Sequence, residues 1–215
     1  MFQEKEGTGM HAVGIRYQLG VPESCLAASV SLYDEAFGQK FKVAIRSDQQ
    51  RLSLLKNCFK REYAIVAMAG DKLVGIAGFH TPGGSFTGGV EYKDMVSLLG
   101  FIEGSWAALI LSLYDRKPET GELLMDGIAV HRDYRGKGIG RRLLEELAVY
   151  AREEGYDRLR LDVIDTNSGA RKLYERVGFK PIRTERFAYL RWFLGFGGST
   201  TMVLNIEAAN KEAVS

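Results

Sequence analysis

Apolar positions recur along this chain with two periods, and the switches between them mark out its elements. Residues 12–18 alternate loosely and predict a first strand. From Pro22 to Phe37 the spacing predicts a helix opened by proline, with Leu26, Val30, Tyr33 and Phe37 on its buried stripe. A second helix is predicted from Asp48 to Phe59, carrying Leu52, Leu55 and Phe59 on one face. Residues 63–80 read as two strands joined by a turn at Gly70-Asp71. The stretch TPGGSFTGG (81–89) has no period and reads as a glycine-rich loop.

The pattern is cleaner in the second half. Residues 122–131 predict a buried strand. From Gly138 to Glu153, Ile139, Leu143, Leu144, Leu147, Ala148 and Ala151 recur at helical spacing, and Gly155 closes the helix. Residues 158–164 set Leu159, Leu161 and Val163 against Arg160 and Asp162, as a half-buried strand does. Asn167 or Ser168 caps a short helix that carries Ala170, Leu173, Tyr174 and Val177 and stops at Gly178. Two more strands are expected near 179–190 and 200–207, followed by a loose tail over 208–215.

At 215 residues, with 46% apolar and 26% charged positions, this is one globular domain, 1–215, with an apolar insertion at about 84–121. Basic and acidic residues number 29 and 27, so no global charge draws nucleic acid. Cys25 and Cys58 lack neighbouring Cys or His, which argues against a disulfide framework and against a metal site. The N-terminus has acids and glycines where a signal peptide needs a basic stretch and an apolar run, so the expected location is cytoplasmic. Residues 95–114 are long enough to cross a bilayer, but Glu103, Gly100 and Gly104 interrupt them. The strands on either side belong to one sheet, so no membrane crossing is expected. The insertion brings Phe101, Trp106, Leu109, Ile110 and Tyr114, and residues 187–196 add a second aromatic cluster. The expectation is that the two pack together or form a homodimer contact; the competing reading is a substrate pocket or lid.

Chemistry first shows between the strand at 122–131 and the helix after it. Arg135-Gly136-Lys137-Gly138-Ile139-Gly140 places glycines at alternate positions, which permits a tight turn and close ligand approach. The turn opens a helix whose first amides lack partners and carry the positive end of the dipole, a good place for phosphate. A Walker A loop would need Ser or Thr after Lys137, where Gly138 stands, and a dinucleotide fingerprint would need glycine at Arg141. A glycine-rich connection with no ligand is the remaining alternative on this turn alone.

The run Ile128-Ala129-Val130-His131-Arg132-Asp133-Tyr134-Arg135-Gly136-Lys137-Gly138-Ile139-Gly140 resembles the acetyl-CoA motif of the GNAT acetyltransferase superfamily, although Arg132 stands where many members have proline. Downstream, the stretch from Asn167 to Phe179 resembles that family's second signature, Asn-x-x-Ala-x-x-Leu-Tyr-x-x-x-Gly-Phe. The resemblance implies an α/β (α+β) fold: a central mixed, mostly antiparallel sheet of about six to seven strands, with helices on both faces. A parallel pair of strands splays apart in such a sheet to admit the cofactor, and the insertion falls between strands three and four. It also implies an acetyl-CoA-dependent N-acetyltransferase in which a primary amine attacks the thioester directly, with no acyl-enzyme and no metal. By the same resemblance Ile128, Ala129 and Val130 line the pantetheine arm, Arg135, Gly136, Lys137, Gly138, Ile139 and Gly140 hold the pyrophosphate, and Asn167 joins the cofactor site. A backbone N–H near Ile128 would meet the developing oxyanion, and Tyr174 would act as general acid. For the base, Glu122 and Asp126 both stand in view: four apart, a regular strand puts them on one face. His11, His80 and His131 have no ligand partner in sequence and are expected to be structural. A catalytically silent acyl-CoA-binding regulatory domain of the same fold is the alternative, and the acceptor amine is open.

Overall fold

A computed structural model of the protein describes residues 14–89, 92–112, 116–187 and 195–206. The strands are β1 (Ile15–Leu19), β2 (Ala64–Ala69), β3 (Lys72–Thr81), β4 (Gly84–Ser85), β5 (Glu122–Val130), β6 (Arg158–Ile164), β7 (Lys180–Arg186) and β8 (Gly198–Asn205). The helices are α1 (Leu26–Ala44), α2 (Asp48–Cys58), α3 (Tyr92–Leu99), α4 (Phe101–Ser112), α5 (Ile139–Glu153) and α6 (Ser168–Val177). One sheet runs in the order β1-β2-β3-β5-β6-β8-β7, with β4 hung on β3. Every pairing is antiparallel except β5 with β6. This is the mixed, mostly antiparallel sheet the resemblance implies, with an eighth strand that the sequence pattern does not announce.

Apolar side chains lie on both faces of the sheet and make two cores. One lies under α1 and α2, where Tyr33, Leu55, Phe59, Val66, Ile76 and Phe86 meet. The other lies under α5 and α6 and holds Phe79, Leu123, Leu143, Leu144, Leu147, Leu159 and Leu161. Close approach of α5 depends on Gly75 in β3: a Cβ there would stand 3.0 Å from Leu143 Cδ1 and 3.1 Å from Ile139 Cγ2. The helix predicted to end at Phe37 continues to Ala44, because Phe41 and Ala44 extend its apolar stripe at helical spacing. Arg51 of α2, 2% exposed, ties the two helices through Asp34 (3.0 Å) and Asp48 (2.9 Å). A guanidinium so enclosed requires such partners.

The stretch 81–89 departs from the expected plain loop. It contains β4, and Phe86 behind it is fully buried. A Cβ on Gly78 would lie 2.6 Å from the Phe86 ring, so this aromatic takes the space that a side chain in β3 would need. One buried ring among glycines has no period for sequence reading to detect.

The insertion folds as α3 and α4, parted by Gly100 at φ +84°. Gly104 lets them touch, since a Cβ there would stand 2.7 Å from the Val96 backbone. Leu99 and Ala107 are buried, but Phe101, Ile102, Trp106 and Leu109 are exposed. The side chain of Ile110, together with Tyr114, His11, residues 188–194 and the tail 208–215, lies outside the described residues. Among the described residues no helix is long and apolar enough to cross a membrane.

Candidate active site

β5 and β6 are in register only at Glu122↔Arg158, Leu123↔Leu159 and Leu124↔Arg160. Beyond Leu124 they part. β5 stays with β3 as far as Val130↔Gly75, and β6 stays with β8 as far as Ile164↔Ser199. The His131 amide donates to the Val74 carbonyl at 2.9 Å. Residues of an antiparallel pair alternate between bonded and non-bonded positions, so Ala129 turns its peptide groups to β3. Ile128 and Val130 turn theirs into the gap. The Val130 carbonyl there accepts from Arg135 Nε at 2.9 Å.

Beside the gap, a 3-10 turn at Arg132–Tyr134 leads into the glycine run. Gly136 and Gly138 take φ values of +76° and +79°, and a Cβ on either would meet nothing within 4 Å. Conformation, not crowding, calls for glycine at these two positions, and both face open space. Gly140 differs. A Cβ there would stand 3.3 Å from Leu173 Cδ2 and 3.8 Å from Val130 Cγ2, so it lets the first turn of α5 close on β5 and α6. Gly138 caps α5 without a side-chain acceptor, leaving the first amides to an outside partner. Lys137 Nζ lies 4.9 Å from the centre of the Tyr134 ring and Lys72 Nζ 5.4 Å from it. Two ammonium groups thus gather near the turn. Ile139 is buried beneath it.

Asn167 caps α6, its side chain accepting from the Ala170 amide at 3.1 Å. Tyr174 on that helix is 6% exposed and packs against Phe179, ring centres 5.9 Å apart. Removal from water pushes its phenol well above the ordinary value near 10. The Gly140–Leu173 approach brings this helix against the glycine turn and the end of β5.

The two carboxylates are not equivalent, and the regular strand assumed for them is interrupted. The register passes from Gly78↔Gly127 to Phe79↔Met125, so Asp126 is the extra residue of a bulge. It is half-buried and accepts from the Thr87 amide (3.4 Å) and hydroxyl (3.2 Å). The Tyr33 hydroxyl lies close by, 3.3 Å from where a Gly127 Cβ would be. Burial first, then the Asp126 charge, raise the Tyr33 phenol well above 10. Glu122, 2% exposed, is ion-paired through both oxygens: Oε1 with Arg158 at 3.3 Å and Oε2 with Arg160 at 2.9 Å. It also accepts from the Glu119 amide at 3.1 Å. It is therefore an enclosed ion-pair centre, not a solvated strand end.

α1 packs on β3 and β5. Farther along the sheet, a groove of about 310 Å³ runs past Glu122, Arg160, Asp162, Thr201, Arg183 and Glu185. The structure thus brings Ile128–Val130, the glycine turn and α6 together around the gap, with Asp126 on the bulge and Glu122 on the groove floor. Thr87, Thr201 and Arg183 went unnoticed in the sequence, and Tyr33 was read there only as a core position. The one available signal was the polar face Arg158, Arg160, Asp162 on a strand whose other face is leucine and valine. Cys25 and Cys58 are buried, the latter pushed up to about 12 by burial, as inert core thiols are. His80 bonds the Arg116 carbonyl at 3.2 Å, and His131 accepts from the Asp133 amide at 3.4 Å.

Comparison with known proteins agrees with this geometry. A model described as the acetyltransferase (GNAT) family matches residues 27–179. A Xenopus tropicalis protein named "Probable N-acetyltransferase camello" is 42% identical over 64 residues, 30% of this chain and 29% of that one. Thialysine N-epsilon-acetyltransferase of Bos taurus is 38% identical over 56 residues, 26% of this chain and 33% of that one. The chain thus spans a third or less of the length of these two curated relatives. A solved Salmonella typhimurium acetyltransferase with its cofactor acetyl-CoA overlays with a TM-score of 0.55 at 18% identity, covering 93% of this chain and 99% of that one. At that identity the likeness is one of fold.

Proposed function

The chain belongs to the GNAT acetyltransferase family, and from that premise we propose that it transfers an acetyl group from acetyl-CoA to a small primary amine. The observation that carries this reading is the parting of β5 from β6 after Leu124 beside the open glycine turn. A gap into which the peptide groups of Ile128 turn, outside the β3 ladder, suits a chain of amides, because buried N–H and C=O groups need partners. A helix N-terminus with open glycines and two nearby ammonium groups suits a pyrophosphate. Bound there, acetyl-CoA supplies an activated acetyl thioester.

The chain's own residues do the rest. Ile128, Ala129 and Val130 line the arm, and the Ile128 amide points at the carbonyl oxygen that gains charge. Arg135, Gly136, Lys137, Gly138, Ile139 and Gly140 hold the diphosphate, and Asn167, whose oxygen caps α6, keeps its NH2 for the same ligand. Tyr174 holds its proton across neutral pH and gives it up only as charge builds on the departing sulfur. Asp126 takes the proton of the incoming amine. It is the better placed of the two carboxylates, because Thr87 orients it at the bulge while the oxygens of Glu122 are bound to arginines. The names of relatives, among them thialysine and spermine acetyltransferases, favour a small-molecule acceptor here.

Thiol release from acetyl-CoA with a mixed panel of primary amines tests this. Turnover is expected, falling on the order of 100-fold in Asp126→Asn with loss of the rising limb of the pH–rate profile. Tyr174→Phe is expected to lower kcat by at least tenfold with acetyl-CoA affinity within twofold. An unchanged profile in Asp126→Asn would remove it as the base, and unchanged kcat in Tyr174→Phe would remove that residue as the acid.

A further inference from the structure

The groove across β6, β8 and β7 is built from charges arranged by depth. At its inner end three carboxylates meet two guanidinium groups: Glu122 pairs with Arg158 and Arg160, Asp162 with Arg160 and Glu119 with Arg158, the side chains of Glu122, Asp162 and Arg160 being 3%, 23% and 14% exposed. Asp162 also accepts from the Thr201 hydroxyl. It lies beyond Leu124↔Arg160, the last residues paired between β5 and β6, so this end of the groove meets the gap. The Arg158–Glu119 pair forms one wall. At the rim the arrangement reverses. One carboxylate, Glu185, is shared between Arg183 at 2.9 Å and Arg116 at 3.9 Å, and Arg183 is 73% exposed.

Register links the two ends. Asp162 pairs with Thr201, and Thr201 with Arg183, on adjacent strands. Strands lie about 4.8 Å apart, so the Asp162 and Arg183 backbones are separated by roughly 10 Å. Carboxylates toward the gap attract a cation there, and exposed guanidinium at the rim attracts an anion. A polyamine has no negative end to offer the arginines at the rim.

We infer that this groove selects the acceptor, and that the acceptor is a small zwitterion: a primary amine directed at the gap by Asp162, with a carboxylate on the same molecule held at the rim by Arg183. The inference rests on the acetyl-transfer reading and gives that reading its substrate class. No residue of the groove need change charge for recognition; the ligand's two ends exchange for water and for the rim pair Arg183–Glu185.

The test is thiol release at saturating acetyl-CoA with the protein amino acids and ω-amino acids of two to six carbons. Each is compared with its carboxamide and with the diamine of equal length, and spermidine is included. At least one acid is expected to turn over with KM tenfold or more below that of its carboxamide. Arg183→Gln is expected to raise KM for that acid at least fivefold and to narrow the gap between acid and amide. Asp162→Asn is expected to raise KM for acid and amide alike. Preference for diamines or spermidine, equal use of acids and amides, or refusal of every acid by a chain that binds acetyl-CoA overturns the inference and leaves acetyl transfer standing. Failure to bind acetyl-CoA removes both.

Discussion

Tyr174 and Tyr33 sit in opposite cores, each with its phenol removed from water and its ionisation pushed above 10. A pKa raised by folding stabilises the native state at any pH below the unfolded value and loses that contribution as pH climbs toward the folded one. Folding stability is therefore expected to fall above about pH 10, by about 1.4 kcal/mol per pH unit for each such tyrosine. Thermal melts from pH 7 to 11 check this, and the fall should be shallower in Tyr174→Phe; a fall of equal steepness would place that phenol in contact with water. At this scale the sequence was informative wherever a residue type is tied to a backbone demand. Gly136 and Gly138 stand at positive φ as their alternation implied. It was uninformative about environment: Glu122 stood only as a candidate base, and folding alone brings Arg158 and Arg160 onto its two oxygens.

Among the elements, α6 bears two of the proposed roles, since it presents Tyr174 and is capped by Asn167. That asparagine has two assignments, helix cap and cofactor contact, and substitution separates them. Asn167→Ala is expected to cost about 1 kcal/mol of stability by loss of the cap and to weaken acetyl-CoA binding. Asn167→Asp restores the cap but opposes the diphosphate, so denaturant melts should recover while affinity stays low. Recovery of both by Asp would limit Asn167 to capping. Helices and long strands were legible because burial on one side imposes a period of 3.6 or 2. The bulge at Asp126 was not, because one extra residue leaves the apolar pattern nearly intact while it turns the side chain toward Thr87. β4 was hidden for a related reason: a two-residue strand is too short to have a period. The insertion holds α3 and α4, and a helix apolar on all sides does not declare which side is covered. Phe101, Ile102 and Leu109 prove to face outward.

On the scale of the whole molecule, one sheet with a core on each face holds a gap between β5 and β6, the parallel pair among the described residues. The glycine turn and α6 border that gap from one face, and Asp126, Tyr33 and the charged groove belong to the other. Donor and acceptor sites on opposite faces of one opening would bring thioester and amine together without either ligand crossing the other. The proposed donor side was legible as local sequence, because the turn assigned to the phosphates is six consecutive residues, 135–140. The acceptor side was not. It is assembled from β5, β6, β7 and β8, and Glu122 and Thr201 are brought together only by strand pairing. The most direct test of the account is calorimetric titration of the purified protein with acetyl-CoA, in parallel with Gly138→Asp. A Cβ at Gly138 meets nothing within 4 Å, and the left-handed backbone there costs a residue other than glycine about 1–2 kcal/mol, a conformation that aspartate visits more readily than most, so the variant should fold, and the aspartate brings a negative charge to the turn. Binding by the native chain that the variant weakens at least tenfold is the predicted result. No binding by the native chain, or equal binding by the two, would contradict the claim that this turn holds the donor.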